Sequence, residues 1–120
     1  MKGIKILAAG VLVGVAALSA WADKPLIVAH RGYWDAPGSA QNSLRSLVKA
    51  DSVGAYASEF DVWRSTDGVL FVNHDSKFKG VTACEASSKV LAGVVLDNGE
   101  PMPTLKQLLT AEYARPSAGV

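Results

Sequence analysis

Three short clusters, His30-Arg31-Gly32, Glu59-Phe60-Asp61 and Asn73-His74-Asp75, each close a short apolar run. Between them they hold both histidines of the chain, one guanidinium and a pair of carboxylates. Those are the groups needed to hold a cation and cleave a phosphate ester. Carboxylate oxygens suit a hard divalent ion. Imidazoles exchange a proton near neutral pH. A planar guanidinium fork matches phosphate oxygens.

Side chains on a strand alternate faces, so Glu59 and Asp61 on one strand would project the same way, about 7 Å apart. Two carboxylates on one face repel unless something positive lies between them, and Mg²⁺ or Ca²⁺ fits best. The plainer reading of such a pair is a solvated strand edge. Parity places Leu26, Val28 and His30 on one face, and Leu70, Val72 and His74 on another. Each histidine then ends an apolar stripe and emerges at the rim of a core, where it could also do no more than hydrogen-bond a loop. Gly32 would let the backbone pass close to a ligand. Tyr33 and Trp34 are expected to pack their loop, and Asp75 either orients His74 or begins a turn. Lys77 and Lys79 read as solvated. Cys84 is the one cysteine, so it has no intramolecular partner and reads as a small core or surface residue.

The elements that must position these groups follow from periodicity and punctuation. Leu26 to Ala29 suits a buried strand, and Tyr33 to Gln41 a loop. Asn42 or Ser43 can cap a helix to about Ser52, with Leu44, Leu47 and Val48 as its apolar stripe and Gly54 beyond its end. Tyr56 to Trp63 reads as one strand, with Asp67-Gly68 turning into a partner at Val69 to Asn73. Between Ser76 and Gly99 the pattern is ambiguous, with a short helix at Ser87 to Ala92 and a turn at Asp97-Asn98-Gly99. Thr104 caps a last helix that buries Leu105, Leu108 and Leu109, and Arg115 to Val120 reads as loop. The order is the start of a β/α alternation with a parallel sheet.

Residues 1–22 read as an export signal. Lys2 and Lys5 precede the uncharged stretch Ile6 to Leu18, and Ala20-Trp21-Ala22 supplies small residues for cleavage before Asp23. That apolar stretch is shorter than the roughly 20 residues a membrane-spanning helix needs. The expectation is an exported protein, periplasmic or secreted, with no stable membrane span after cleavage. Losing Lys2 and Lys5 leaves ten basic residues against eleven acidic ones. That balance gives no electrostatic case for nucleic acid or an anionic membrane.

Taken in order, A-H-R-G, Q-N-S, G-A, E-F-D-V, S-T-D-G, V-N-H-D and P-T-L resemble the glycerophosphodiester phosphodiesterases, from about Leu26 to about Leu109. The resemblance implies an α/β fold, the N-terminal part of a TIM-type (β/α)8 barrel, truncated, over residues 23–120. It implies His30 and His74 as the catalytic acid/base pair, Arg31 as a substrate phosphate contact, and Glu59 and Asp61 as ligands of a divalent cation, Mg²⁺ or Ca²⁺. The implied substrate is a small-molecule glycerophosphodiester, cleaved to glycerol 3-phosphate and an alcohol. Two departures stand out. Gln41 occupies a position where the family usually has Glu, and the family's third metal ligand, in an E-x-K pattern after the P-T-L helix, has no counterpart before Val120. The alternatives are a catalytically inactive remnant or binding piece of such a barrel, a phospholipase D-like phosphodiesterase on the same fold, and a His₂-carboxylate zinc hydrolase.

Overall fold

The computed structural model of the protein describes residues 24–113. The export signal expected at 1–22 and the loop expected at 115–120 lie outside the described residues. Among the described residues, no helix is long and apolar enough to cross a membrane.

The chain begins with a β-α-β unit. Strand β1 (Val28–His30) leads into helix α1 (Leu44–Ser52), which returns to β2 (Ala57–Glu59) lying parallel to β1. Ser43 starts α1, its hydroxyl accepting the Ser46 N–H at 3.0 Å. A Schellman pair ends it: Gly54 N–H donates to Asp51 O and Ala55 N–H to Ala50 O, with Gly54 at φ +76°. The buried stripe of α1 is Ser46, Leu47 and Ala50, with the capping Ser43 also buried. Val48, expected inside, is exposed, because it lies off the face that carries Ser46, Leu47 and Ala50.

The single strand expected over Tyr56 to Trp63 is two. After β2 the chain breaks at Phe60-Asp61 and resumes as β3 (Val62–Arg64), which pairs antiparallel with β4 (Leu70–Val72). Phe60 turns toward a small core of Leu47, Val72 and Leu108, and this packing separates the two pairings. The β3–β4 connection is the expected Asp67-Gly68 turn, with Gly68 at φ +87°.

The ambiguous stretch holds a second hairpin, β5 (Lys77–Phe78) and β6 (Val81–Thr82). Its two-residue turn, Lys79-Gly80, has both residues at positive φ, as a type I′ turn requires. A 3₁₀ turn at Ala83–Glu85 and helix α2 (Ser88–Ala92) follow. Phe71, Leu91, Leu96 and Met102 centre the larger core. Helix α3 (Leu105–Tyr113) opens with a reciprocal box: Gln107 N–H donates to Thr104 Oγ1 (3.1 Å), and Thr104 N–H to Gln107 Oε1 (2.9 Å). Leu108 is buried and Leu105 partly so, whereas Leu109 is 40% exposed, contrary to the expected face. Leu26 and Val28 are also exposed, at 66% and 53%, so the stripe ending at His30 is uncovered among the described residues.

Candidate active site

Parallel pairing of β1 with β2 sets His30 directly opposite Glu59, at the C-terminal ends of both strands. Their side chains approach with His30 Nε2 3.8 Å from Glu59 Oε2. The next backbone amide, Arg31 N–H, donates to the same carboxylate oxygen at 3.2 Å. The turn that makes this possible is unusual: Arg31 and Gly32 both hold left-handed φ, +60° and +79°. Gly32 is required there by α1. A Cβ on it would lie 2.8 Å from the Ser46 carbonyl carbon, closer than real contacts allow. The close approach at Gly32 in this structure is to helix α1. Ser46 completes the junction, its hydroxyl donating to Arg31 O and its carbonyl accepting Tyr33 N–H.

Arg31 Nη1 donates to Gln41 Oε1 at 2.7 Å. Gln41 thus uses its amide oxygen to hold the guanidinium. Arg31 Nε is buried and has no hydrogen-bond partner among the described residues.

Asp61 lies at the strand break, held from two sides. Its carbonyl accepts Asn73 N–H at 3.0 Å, extending the β3–β4 ladder to the residue before His74. Its carboxylate Oδ2 accepts Asn42 Nδ2 at 3.3 Å, and its backbone N–H donates to Asn42 Oδ1 at 3.4 Å. Sequence reasoning considered Asn42 only as a helix cap; the cap is Ser43. The Q-N-S motif contained the residue but gave no sign of this role. Glu59 and Asp61 do not share one continuous strand: β2 ends at Glu59 and β3 begins after Asp61, so simple strand alternation does not set their relative directions.

His74 follows β4 and is exposed. Its Nδ1 lies 2.7 Å from Asp75 Oδ1, so Asp75 orients the imidazole. Trp63 Nε1–H donates to the His74 carbonyl at 3.2 Å, fixing the backbone behind the ring. Beside His74 runs a cleft of about 340 Å³ whose lining includes Trp34, Gln41, Asn73 and Asp97. Trp34 and Tyr33, expected to pack their loop, are each 40% exposed. Lys79 is exposed, as expected, and ion-paired, with Nζ 3.5 Å from Asp97 Oδ1. Cys84 is exposed.

Hydrogen bonds and strand pairing thus join all three clusters, His30 to Glu59 across the parallel pair and Asp61 to Asn73 across the hairpin. Among the described residues, no three histidine, cysteine, aspartate or glutamate side chains form a group that could hold a metal ion. Glu59 and Asp61 nevertheless offer the oxygen donors that a hard divalent ion takes, each steadied by a neighbouring N–H donor. They fit such an ion as part of its ligand set.

The chain is similar in sequence and fold to solved phosphodiesterases. A glycerophosphodiester phosphodiesterase from Parabacteroides distasonis is 47% identical and superposes with a TM-score of 0.71, over 72% of this chain and 37% of its own. One from Thermotoga maritima is 30% identical, with a TM-score of 0.63, over 74% of this chain and 39% of its own. A phosphodiesterase from Oleispira antarctica, solved with the product sn-glycerol-3-phosphate, is 27% identical with a TM-score of 0.62, over 72% and 39%. The fold class is thus that of TIM-barrel phosphodiesterases, and the described residues are a mixed α/β part of it.

Residues 30–113 match the glycerophosphoryl diester phosphodiesterase family, and the chain belongs to it. The mouse glycerophosphoinositol inositolphosphodiesterase GDPD2 is 45% identical over 60 residues, which are 49% of this chain and 11% of that protein. The chain therefore spans a minor part of the relatives it matches.

Proposed function

We propose that the chain supplies the acid/base pair, the phosphate contact and two cation ligands of an exported phosphodiesterase that cleaves glycerophosphodiesters to glycerol 3-phosphate and an alcohol. The observation that carries this reading is the joining of His30 and Arg31 to Glu59 across β1–β2, together with the Asn73 N–H bond to the Asp61 carbonyl that anchors the residue before His74. Glu59 and Asp61 would hold Mg²⁺ or Ca²⁺, which when bound offsets negative charge on the phosphoryl oxygens.

Arg31 orients the diester, its guanidinium held through Nη1 by Gln41. With Nδ1 against Asp75, His74 leaves Nε2 to exchange a proton with the substrate. His30, beside Glu59, is the second proton-transfer group. One imidazole removes the proton from the glycerol hydroxyl next to the phosphate as that oxygen attacks phosphorus, and the other protonates the departing alcohol oxygen. Reversed roles then deliver water to the cyclic phosphate.

Activity is tested in a graft that replaces the matching part of the Parabacteroides distasonis enzyme with residues 24–113. Phosphorus NMR of its products from glycerophosphocholine should show glycerol 3-phosphate. Phosphocholine as the phosphorus product would refute the proposed bond cleavage. Phosphatidic acid from phosphatidylcholine, with glycerophosphocholine untouched, would favour the phospholipase D-like alternative.

A further inference from the structure

We propose that Asn42 is a positioning residue that couples the phosphate-binding turn to the cation ligand Asp61. This rests on the reading of Asp61 as a ligand. Asn42 is 2% exposed and stands at φ +58°, a left-handed conformation that asparagine tolerates better than most residues. Its backbone N–H donates to Arg31 O at 3.0 Å, tying it to the turn that presents Arg31. Its side chain spends both halves of the amide on Asp61, Nδ2 on carboxylate Oδ2 and Oδ1 on the backbone N–H. One buried residue therefore touches the main chain behind the phosphate contact and the carboxylate on the cation side.

The geometry constrains the Asp61 carboxylate in a specific way. Nδ2 occupies one lone pair of Oδ2, leaving Oδ1 and the remaining Oδ2 lone pair for an ion. The backbone clasp through Oδ1 holds the strand break in register, so the carboxylate and Arg31 cannot drift apart independently. Helix capping cannot explain the arrangement, because Ser43 performs it. A group that orients a metal ligand in this way typically changes metal affinity by about 10- to 100-fold when removed.

The test uses Mn²⁺ as a paramagnetic probe on the 120-residue chain, read by broadening of the Glu59 and Asp61 amide resonances. Asn42→Gly is the variant of choice, since glycine accepts the same φ. The expected result is a Mn²⁺ midpoint about tenfold or more higher in the variant, with folded-state signal dispersion retained. A lowered melting temperature with an unchanged Mn²⁺ midpoint would overturn the proposal and leave Asn42 a purely structural residue. A second readout needs no variant: titration with Ca²⁺ should shift the Asn42 side-chain NH₂ resonances with the same midpoint as the Asp61 amide. Unmoved Asn42 signals beside a shifting Asp61 would also overturn it. If the unaltered chain shows no cation effect at Glu59 or Asp61, the ligand assignment itself fails, and the coupling proposal with it.

Discussion

At the scale of single residues, the chemistry rests on two imidazoles whose surroundings differ. His74 is braced by Asp75 and by Trp63 behind its carbonyl, whereas His30 is 69% exposed in its side chain and meets only the edge of Glu59. In the active graft, His30→Ala and His74→Ala should each lower kcat by about 10²–10⁴-fold, the usual worth of general acid–base catalysis. Losses below tenfold in both would remove them from the mechanism. Glu59→Gln should raise the Mg²⁺ or Ca²⁺ concentration at half-maximal activity; an unchanged value would deny its role as ligand. These residues were legible in the sequence because histidine, arginine and paired carboxylates at strand ends imply chemistry by type and spacing. Asn42 was not, because its importance arises from burial and a left-handed φ that only the packing of α1 against the Arg31-Gly32 turn imposes.

Among the elements, the junction of that turn with α1 decides whether the site forms. Gly32→Ala would add a Cβ within the backbone of Ser46 at a φ that disfavours any side chain. A loss of about 2–4 kcal/mol follows from left-handed strain plus overpacking, measurable as a lower urea midpoint; a midpoint unchanged within error would contradict the packing described. A second junction is electrostatic. Asp67, in the β3–β4 turn, accepts from the Ser88 hydroxyl, from Ser65 Oγ at 2.7 Å and from Ser88 N–H at 2.8 Å, joining the turn to the start of α2. These donors, the Ser88 hydroxyl foremost, lower its carboxyl pKa from 3.8 to about 2. A depressed folded value means the carboxylate stabilises the fold above about pH 4 and ceases to do so as pH falls toward 2. Asp67→Asn should therefore melt lower at pH 7, with the difference from the unaltered chain shrinking between pH 4 and 2; a constant difference would argue against the clasp. The helix caps at Ser43 and Thr104 and the Asp67-Gly68 turn were readable, since local hydrogen bonding sets them. The break at Phe60-Asp61 was not. Residues 56 to 63 contain no Gly or Pro to mark a break, and the change of partner from β1 to β4 coincides with the packing of Phe60 against the small core.

For the molecule as a whole, two small cores hold the described elements while the outer faces of the first strand stay open. Leu26, Ile27 and Val28 are more than half exposed, although parallel strands are ordinarily buried on both faces. Such a strand offers both apolar surface and unpaired backbone groups to another chain. The 120-residue chain should accordingly self-associate, visible as a concentration-dependent sedimentation coefficient, and Leu26→Lys with Val28→Lys should reduce that dependence. A strictly monomeric chain across the accessible concentrations would mean that the strand is covered in solution. This exposure also fits the barrel reading, in which further strands and helices would cover β1.

The central claim is that these residues assemble a cation-dependent phosphodiesterase site. The most direct measurement is turnover of glycerophosphocholine by the folded graft, first with chelator and then with Mg²⁺ or Ca²⁺ restored. Turnover should vanish with the chelator and return with either ion. A folded graft that works equally well in chelator, or that stays inactive with the ion restored, would contradict the account.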